Sequence, residues 1–286
     1  MVEIIEHLIH NMVMERTLQK TIPVARDSWI GIDVYGEPDG PALVIVPGVM
    51  SDARSWGGVA TALERWSTVA VVNRRGRAPS GPLTDDYSLD LEVDDAIAAL
   101  AEFTNVRVLF GWSYGGLISL HVADRTALPH VIAYEPIVRP FAAHALPELE
   151  VAHDARDRDE SATIVTTRIA GMDVETMEAL RADASVWETL KRLSEPVYPE
   201  TVALNSAPVP SALAEHAGRV DLIVGGRNAG LAPYGTTFDD VRRLVGDAET
   251  HVLVGQGHMA HLEAPRDLAA LVDRLGGRTP EEPSAR

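Results

Sequence analysis

The sequence predicts an α/β protein whose mostly parallel central sheet is flanked by helices, with a helical lid inserted after the sixth strand. Three observations predict it. Short β-rich runs alternate with helical patterns from about residue 42 onward, the sequence form of a parallel sheet covered on both faces. Over 137–218 the alternation stops, and a charged, helix-prone stretch with scattered prolines takes its place. One of the strand-to-helix junctions carries a serine spaced between glycines, the local chemistry of a sharp turn at the carboxyl end of a strand.

Taken in order, 21–26 and 29–35 read as an opening antiparallel hairpin, and 42–46 is a continuous apolar run suited to a buried central strand. The runs 69–73, 106–110 and 131–134 repeat that form. Helices are expected over 56–65, over 89–103 with Leu91, Ala98 and Leu100 facing the core, and over 114–124. The stretch 137–218, about 80 residues, is too long for an ordinary connection and must carry its own secondary structure. Strands resume at 220–224 and 251–254, and a helix over 265–275 closes the sheet domain. The expected organisation is thus one core domain from 1–136 and 219–276, a lid over 137–218 and a polar, disordered tail over 277–286.

Composition narrows the function. Acidic residues outnumber basic ones by 42 to 25, and the formal charge of -17 repels nucleic-acid backbones and anionic membrane surfaces. With no cysteine in the chain, disulfides, thiolate nucleophiles and cysteine-based metal sites are excluded. Acidic residues interrupt the N-terminal apolar run, and no stretch reaches the roughly 20 apolar residues that span a bilayer, so a cytoplasmic protein is expected. Only Lys20 and Lys191 are lysines, a bias that points to a GC-rich bacterial genome. No phosphate-binding G-x-x-x-x-G-K-[ST] and no zinc-binding H-E-x-x-H occurs, so neither a cofactor nor a metal is expected.

The chemistry concentrates at Gly111-Trp112-Ser113-Tyr114-Gly115, a G-x-S-x-G pattern between a buried strand and an apolar helix. Larger side chains two residues before and after the serine would collide across so sharp a turn. The helix that follows points its N-terminal N–H groups at the serine, where negative charge develops during acyl transfer. His258, in a glycine-containing loop after the last strand, is the candidate base, because a neutral imidazole accepts a hydroxyl proton near pH 7. His261 is the other nearby histidine, read as packing or pocket lining. Met50, Trp56, Trp112 and Met259 flank these loops and are the candidate pocket residues, with core packing the competing reading for Trp56, Trp112 and Tyr114.

Together, Val46-Pro47-Gly48-Val49 after an apolar strand, Asn73-Arg74-Arg75-Gly76-Arg77-Ala78-Pro79-Ser80-Gly81, the serine turn, and Gly257-His258 with Glu263 and Pro265 resemble the α/β-hydrolase superfamily. The resemblance implies the α/β-hydrolase fold, with Ser113 as nucleophile, His258 as base and the N–H groups of Val49 and Tyr114 as the oxyanion hole. Pro47-Gly48 stands where the family usually has His-Gly. It also implies that the arginine-rich segment 74–77 is a structural loop and not a phosphate or nucleic-acid patch.

The third triad member departs from the family pattern. Asn228 stands after the seventh strand, where an aspartate is usual, and an amide cannot offset an imidazolium charge. Some members carry the acid after the sixth strand, and Glu135 ends that strand here; Asp221 begins its strand at the wrong end of the sheet. The expected activity is hydrolysis of a carboxylic ester, lactone or thioester through an acyl-enzyme, with a small-molecule acyl substrate, no nucleic-acid or membrane partner, and homo-oligomerisation left open. Carbon–carbon bond hydrolysis, which uses the same triad, is an alternative, and Asn228 in place of the aspartate keeps two more in view: a lyase or cofactor-free biosynthetic reaction, and ligand binding without turnover.

Overall fold

A computed structural model describes residues 16–277. The expectations for 1–15 and 278–286 lie outside the described residues, whereas Gly277, assigned to the tail, caps the last helix. Eight strands form one sheet: β1 (Leu18–Val24), β2 (Ser28–Gly36), β3 (Ala42–Val46), β4 (Thr68–Asn73), β5 (Val106–Trp112), β6 (Val131–Tyr134), β7 (Val220–Gly225) and β8 (Glu249–Leu253). Their spatial order is β1-β2-β4-β3-β5-β6-β7-β8. β1 and β2 pair antiparallel, β2 pairs antiparallel with β4, and β3 through β8 run parallel.

The helices flanking this sheet are α1 (Gly57–Ala62), α2 (Leu89–Leu100) and α3 (Tyr114–Arg125). Between β6 and β7 lie α4 (Leu146–Asp154), α5 (Arg158–Ile164), α6 (Val174–Ala182), α7 (Ala184–Ser194) and α8 (Val197–Ser206). After β7 come α9 (Tyr234–Leu244), a single turn α10 (Ala260–Glu263) and α11 (Pro265–Gly276).

Every residue of β3 is buried, yet the two-residue period of a strand still divides it between two cores. Val44 and Val46 join Leu109, Ala133, Leu222 and Val224 in a layer with α2, α3 and α9, while Leu43 and Ile45 join Phe110, Ile132 and Ile223 in a layer with α1 and α11. Register then aligns the strand ends: Val46 pairs with Gly111, and Trp112 with Tyr134. The loops that follow these strands therefore open on one edge of the sheet.

Four local expectations change. The helix expected over 56–65 starts as a 3-10 turn, Ala53–Trp56, whose Asp52 carboxylate accepts the Ser55 N–H at 3.2 Å, and it ends at Ala62. α2 stops at Leu100 and buries Leu89, Val93, Ala96 and Ala99, leaving Ala98 half-buried. The last strand is Glu249–Leu253 at the sheet edge, where Val252 is half-exposed, and Val254 lies in the exposed turn that follows; neither apolar residue signals burial. α9 was not expected, because it buries only Phe238 and Val241 among large apolar residues, too sparse a stripe to stand out.

The helices between β6 and β7 build small cores of their own. Asp157, Asp173 and Asp183 cap α5, α6 and α7 by accepting N–H groups in the first turn. Leu149, Ile164, Val165 and Val197 form a cluster onto which Val49 and Met50 of the β3 loop pack. That contact seats the helical insertion over the carboxyl edge of the sheet.

Candidate active site

Ser113 joins β5 to α3 with φ 56° and ψ -120°, a conformation that a non-glycine residue holds only when its surroundings enforce it. The enforcement is visible in the glycines around it. A Cβ on Gly111 would lie 2.3 Å from the Gly115 carbonyl oxygen, and one on Gly115 would lie 2.0 Å from the Val46 oxygen. A Cβ on Gly48 would approach the Ser113 Cβ to 2.8 Å, so the β3 loop runs directly against Ser113. Ser113 donates its N–H to the Tyr134 oxygen at 2.9 Å, tying the turn to the end of β6.

Glu135 follows immediately, fully buried and also at positive φ, 42°. Its Oε2 lies 2.6 Å from His258 Nδ1. Its Oε1 accepts the Gly225 N–H at 2.8 Å, and Asn228 Nδ2 lies 3.0 Å from both carboxylate oxygens. A carboxylate only accepts, so Nδ1 carries the proton facing Glu135 and Nε2 is left with its lone pair, the tautomer that can take a hydroxyl proton. The structure thus joins Glu135, Asn228 and His258 in one group, in which the amide hydrogen-bonds the carboxylate.

The His258 loop is held from below. Trp112 donates its indole N–H to the His258 oxygen at 2.8 Å, and the Tyr134 hydroxyl donates to the Gly257 oxygen. Burial and the adjacent Glu135 charge push the Tyr134 phenol up, which keeps it a donor. Tyr234, at the start of α9, lies flat on the imidazole with centroids 3.6 Å apart and planes 10° apart. Burial and Glu135 raise its phenol as well, so a neutral ring covers the His258 imidazole.

His261 stacks on Trp56 at 4.6 Å, and burial, aided by His258, pushes it down to about 3, so it stays neutral in the floor of the site. Trp56 and Trp112 belong to that floor: both are buried, their rings meet at 5.9 Å, and both pack against His261. The Tyr114 ring is likewise fully buried, leaving its backbone N–H as the group near Ser113. Met50 is half-buried against the helical insertion, and Met259 against the floor.

The arginine-rich segment is not a surface patch. Arg74, Arg75 and Arg77 are all buried and pair with Glu92, Asp95 and Glu200. At the opposite end of the sheet Asp221, Glu249 and His251 approach as metal ligands do, but the Asp221 carboxylate is already held by His130 and His251, each at 2.6 Å, and by Arg219 at 2.8 Å. A guanidinium in that position opposes a cation.

The sequence missed Tyr234 and the anchoring role of Asn228. No local signal marks Tyr234, which opens a helix with a sparse apolar stripe, and nothing local marks the role of Asn228, whose partner lies 93 residues away. Among the described residues no helix is long and apolar enough to cross a membrane.

The profile of the Alpha/beta hydrolase family matches residues 43–271. The uncharacterized hydrolase YraK of Bacillus subtilis (strain 168) is 36% identical over 104 residues, a stretch spanning 35% of this chain and 38% of that protein. Among solved structures, an alpha/beta hydrolase from Sphaerobacter thermophilus DSM 20745 superposes with a TM-score of 0.74 at 20% identity, covering 89% of this chain and 99% of that one. The enol-lactonase from Burkholderia xenovorans LB400 superposes with a TM-score of 0.71 at 17% identity, covering 90% and 99%. These likenesses concern the fold, and the family match runs from β3 to the last helix. The chain belongs to the alpha/beta hydrolase family.

Proposed function

We propose that the chain is a serine hydrolase that cleaves a carboxylic ester, lactone or thioester through an acyl-enzyme. The observation that carries the reading is the buried Glu135–His258 pair at 2.6 Å beside a serine held in a strained strand-to-helix turn. In this reading His258 Nε2 takes the Ser113 proton, Ser113 Oγ attacks the carbonyl carbon, and the carbonyl oxygen gathers negative charge against the N–H groups of Val49 and Tyr114. His258 then returns the proton to the departing alcohol or thiol. A water deprotonated by the same nitrogen attacks the acyl-enzyme and releases the acid. Glu135 offsets the imidazolium charge in both steps.

Ser113 and His258 are both largely buried, 5% and 9% exposed. The helical insertion is the natural lid, since its apolar cluster meets Val49 and Met50 beside the nucleophile, and an apolar acyl group would replace that contact. Treatment with a fluorophosphonate tests the reading: one covalent adduct at Ser113, with short-chain ester hydrolysis abolished in Ser113→Ala, supports it. An unlabelled serine, or undiminished hydrolysis in that variant, overturns it.

A further inference from the structure

We propose that Arg74 is a positioning residue of the oxyanion hole, held in place by Glu200 from the helical insertion; the proposal rests on the serine hydrolase reading. Arg74 donates from Nε to the Pro47 oxygen at 2.9 Å and from Nη2 to the Gly48 oxygen at 2.8 Å. The Gly48 carbonyl and the Val49 N–H are the two ends of one planar trans peptide, so whatever fixes the oxygen also aims the N–H in the opposite direction. A charged donor on that oxygen further polarises the peptide and strengthens the N–H as a donor. The same guanidinium lies 5.2 Å from the Tyr114 ring, the side chain of the residue that supplies the second oxyanion N–H. One buried cation therefore grips the peptide of one donor and packs on the residue of the other.

The rest of the cluster determines where that cation sits. Glu92 of α2 takes Arg74 Nη1 at 2.7 Å, and Tyr87 donates its hydroxyl to the same Glu92 oxygen at 2.7 Å. Glu200 of α8 lies 2.8 Å from Arg74 Nη2 and 2.8 Å from Arg77 Nη1, with a further bond from Arg77 Nη2 at 2.8 Å. All four charges of the cluster are buried, two of each sign. Glu200 is the only one on the insertion, so the element that covers the site also clamps the residue that orients its anion-binding peptide. A lysine at position 74 would keep the charge but lacks the planar fork that reaches two successive carbonyls.

The rate of Ser113 labelling by a small alkyl fluorophosphonate, read by intact mass, tests this without knowledge of the natural substrate, because the phosphonyl oxygen gathers charge where a carbonyl oxygen would. Arg74→Lys is expected to slow labelling at least about thirtyfold, and with an ester to lower kcat while KM stays within about twofold. Glu200→Gln is expected to slow labelling about three- to tenfold. Asp95→Asn is the control: it breaks the equally buried Arg75–Asp95 pair next door, which touches neither carbonyl, and is expected to lower Tm with labelling kept within about twofold. Labelling of folded Arg74→Lys at the wild-type rate, or an equal loss in Asp95→Asn, overturns the proposal. Should Arg74→Lys not fold, an unchanged rate in Glu200→Gln overturns it. Wild-type protein that takes no label removes the hydrolase reading and this proposal with it, whereas a labelled wild type beside an equally reactive Arg74→Lys removes this proposal alone.

Discussion

Replacing Glu135 by glutamine exchanges one carboxylate oxygen for an NH2 group and leaves the shape unchanged. In the native site the carboxylate faces donors on all sides: the Gly225 N–H, the Asn228 amide and His258 Nδ1. A glutamine offers a single oxygen. Turned toward Gly225 and Asn228, it presents its NH2 to His258, which must then accept at Nδ1 and carry its proton on Nε2. Turned toward His258, it sets its NH2 against the Gly225 N–H and strands buried donors at about 1–3 kcal/mol. Two donors against one favour the first orientation, in which the base has the wrong tautomer and no counter-charge. We expect kcat for ester hydrolysis to fall about 10³- to 10⁴-fold, some 4–5.5 kcal/mol of barrier, with KM changed little. Steady-state kinetics at saturating substrate, with Tm measured alongside, checks the figure. A folded Glu135→Gln protein that keeps more than about a tenth of wild-type kcat would refute the assignment of Glu135 as triad acid.

Three more expectations follow from the same site. Asn228→Asp sets two carboxylates about 3 Å apart, which cannot both ionise cheaply; activity at pH 7 should fall at least about tenfold, the acid limb of the pH–rate profile should move upward, and an unshifted profile would show that residue 228 does not touch the acid. Tyr234→Phe should retain nearly full kcat because the stacked face remains, whereas Tyr234→Leu should lose about two- to thirtyfold through loss of the ring that covers the imidazolium; equal losses in both variants would assign the effect to the hydroxyl. His261 has its folded-state value pushed down to about 3 from 6.5, so below pH 6.5 the unfolded chain takes up a proton that the folded chain refuses. Its stabilising contribution is complete above pH 6.5 and is lost as pH falls toward 3, by up to about 1.4 kcal/mol for each pH unit. Urea unfolding of His261→Phe at pH 7, 6 and 5 should show a correspondingly flatter decline than wild type, and parallel curves would contradict the shift.

Much of this was legible locally. The strands β3, β5, β6 and β7 show as apolar runs because both faces of a parallel sheet are covered, whereas the edge strand β8 starts two residues and ends one residue before its apolar run because one face of it meets water. α9 escaped because Phe238 and Val241 alone do not make a stripe, and Ala98 was misassigned because a small residue on a helix flank carries little periodic signal. Trp56 and Trp112 are where site and core competed, and packing took both rings for the support of His258 and His261.

Ser113 stands out in the sequence alone, by its place between two glycines at a strand end; the collision that demands Gly111 is with the next turn of chain, at Gly115 and Ser119, whereas the one that demands Gly115 is with Val46 and Pro47 of the neighbouring strand. His258 is nearly as local, a histidine released by glycines at a strand end. The acid is different. Glu135 and His258 are 123 residues apart, and Asn228 reaches the same carboxylate from a third strand, so their meeting depends on the order β5-β6-β7-β8 and on the register that aligns those strand ends. A carboxylate held by Gly225 and Asn228 against a histidine that lies under a tyrosine ring is a property of the folded sheet, because contacts between the ends of separate strands are set by pairing in space, while a glycine–serine–glycine spacing is written along the chain.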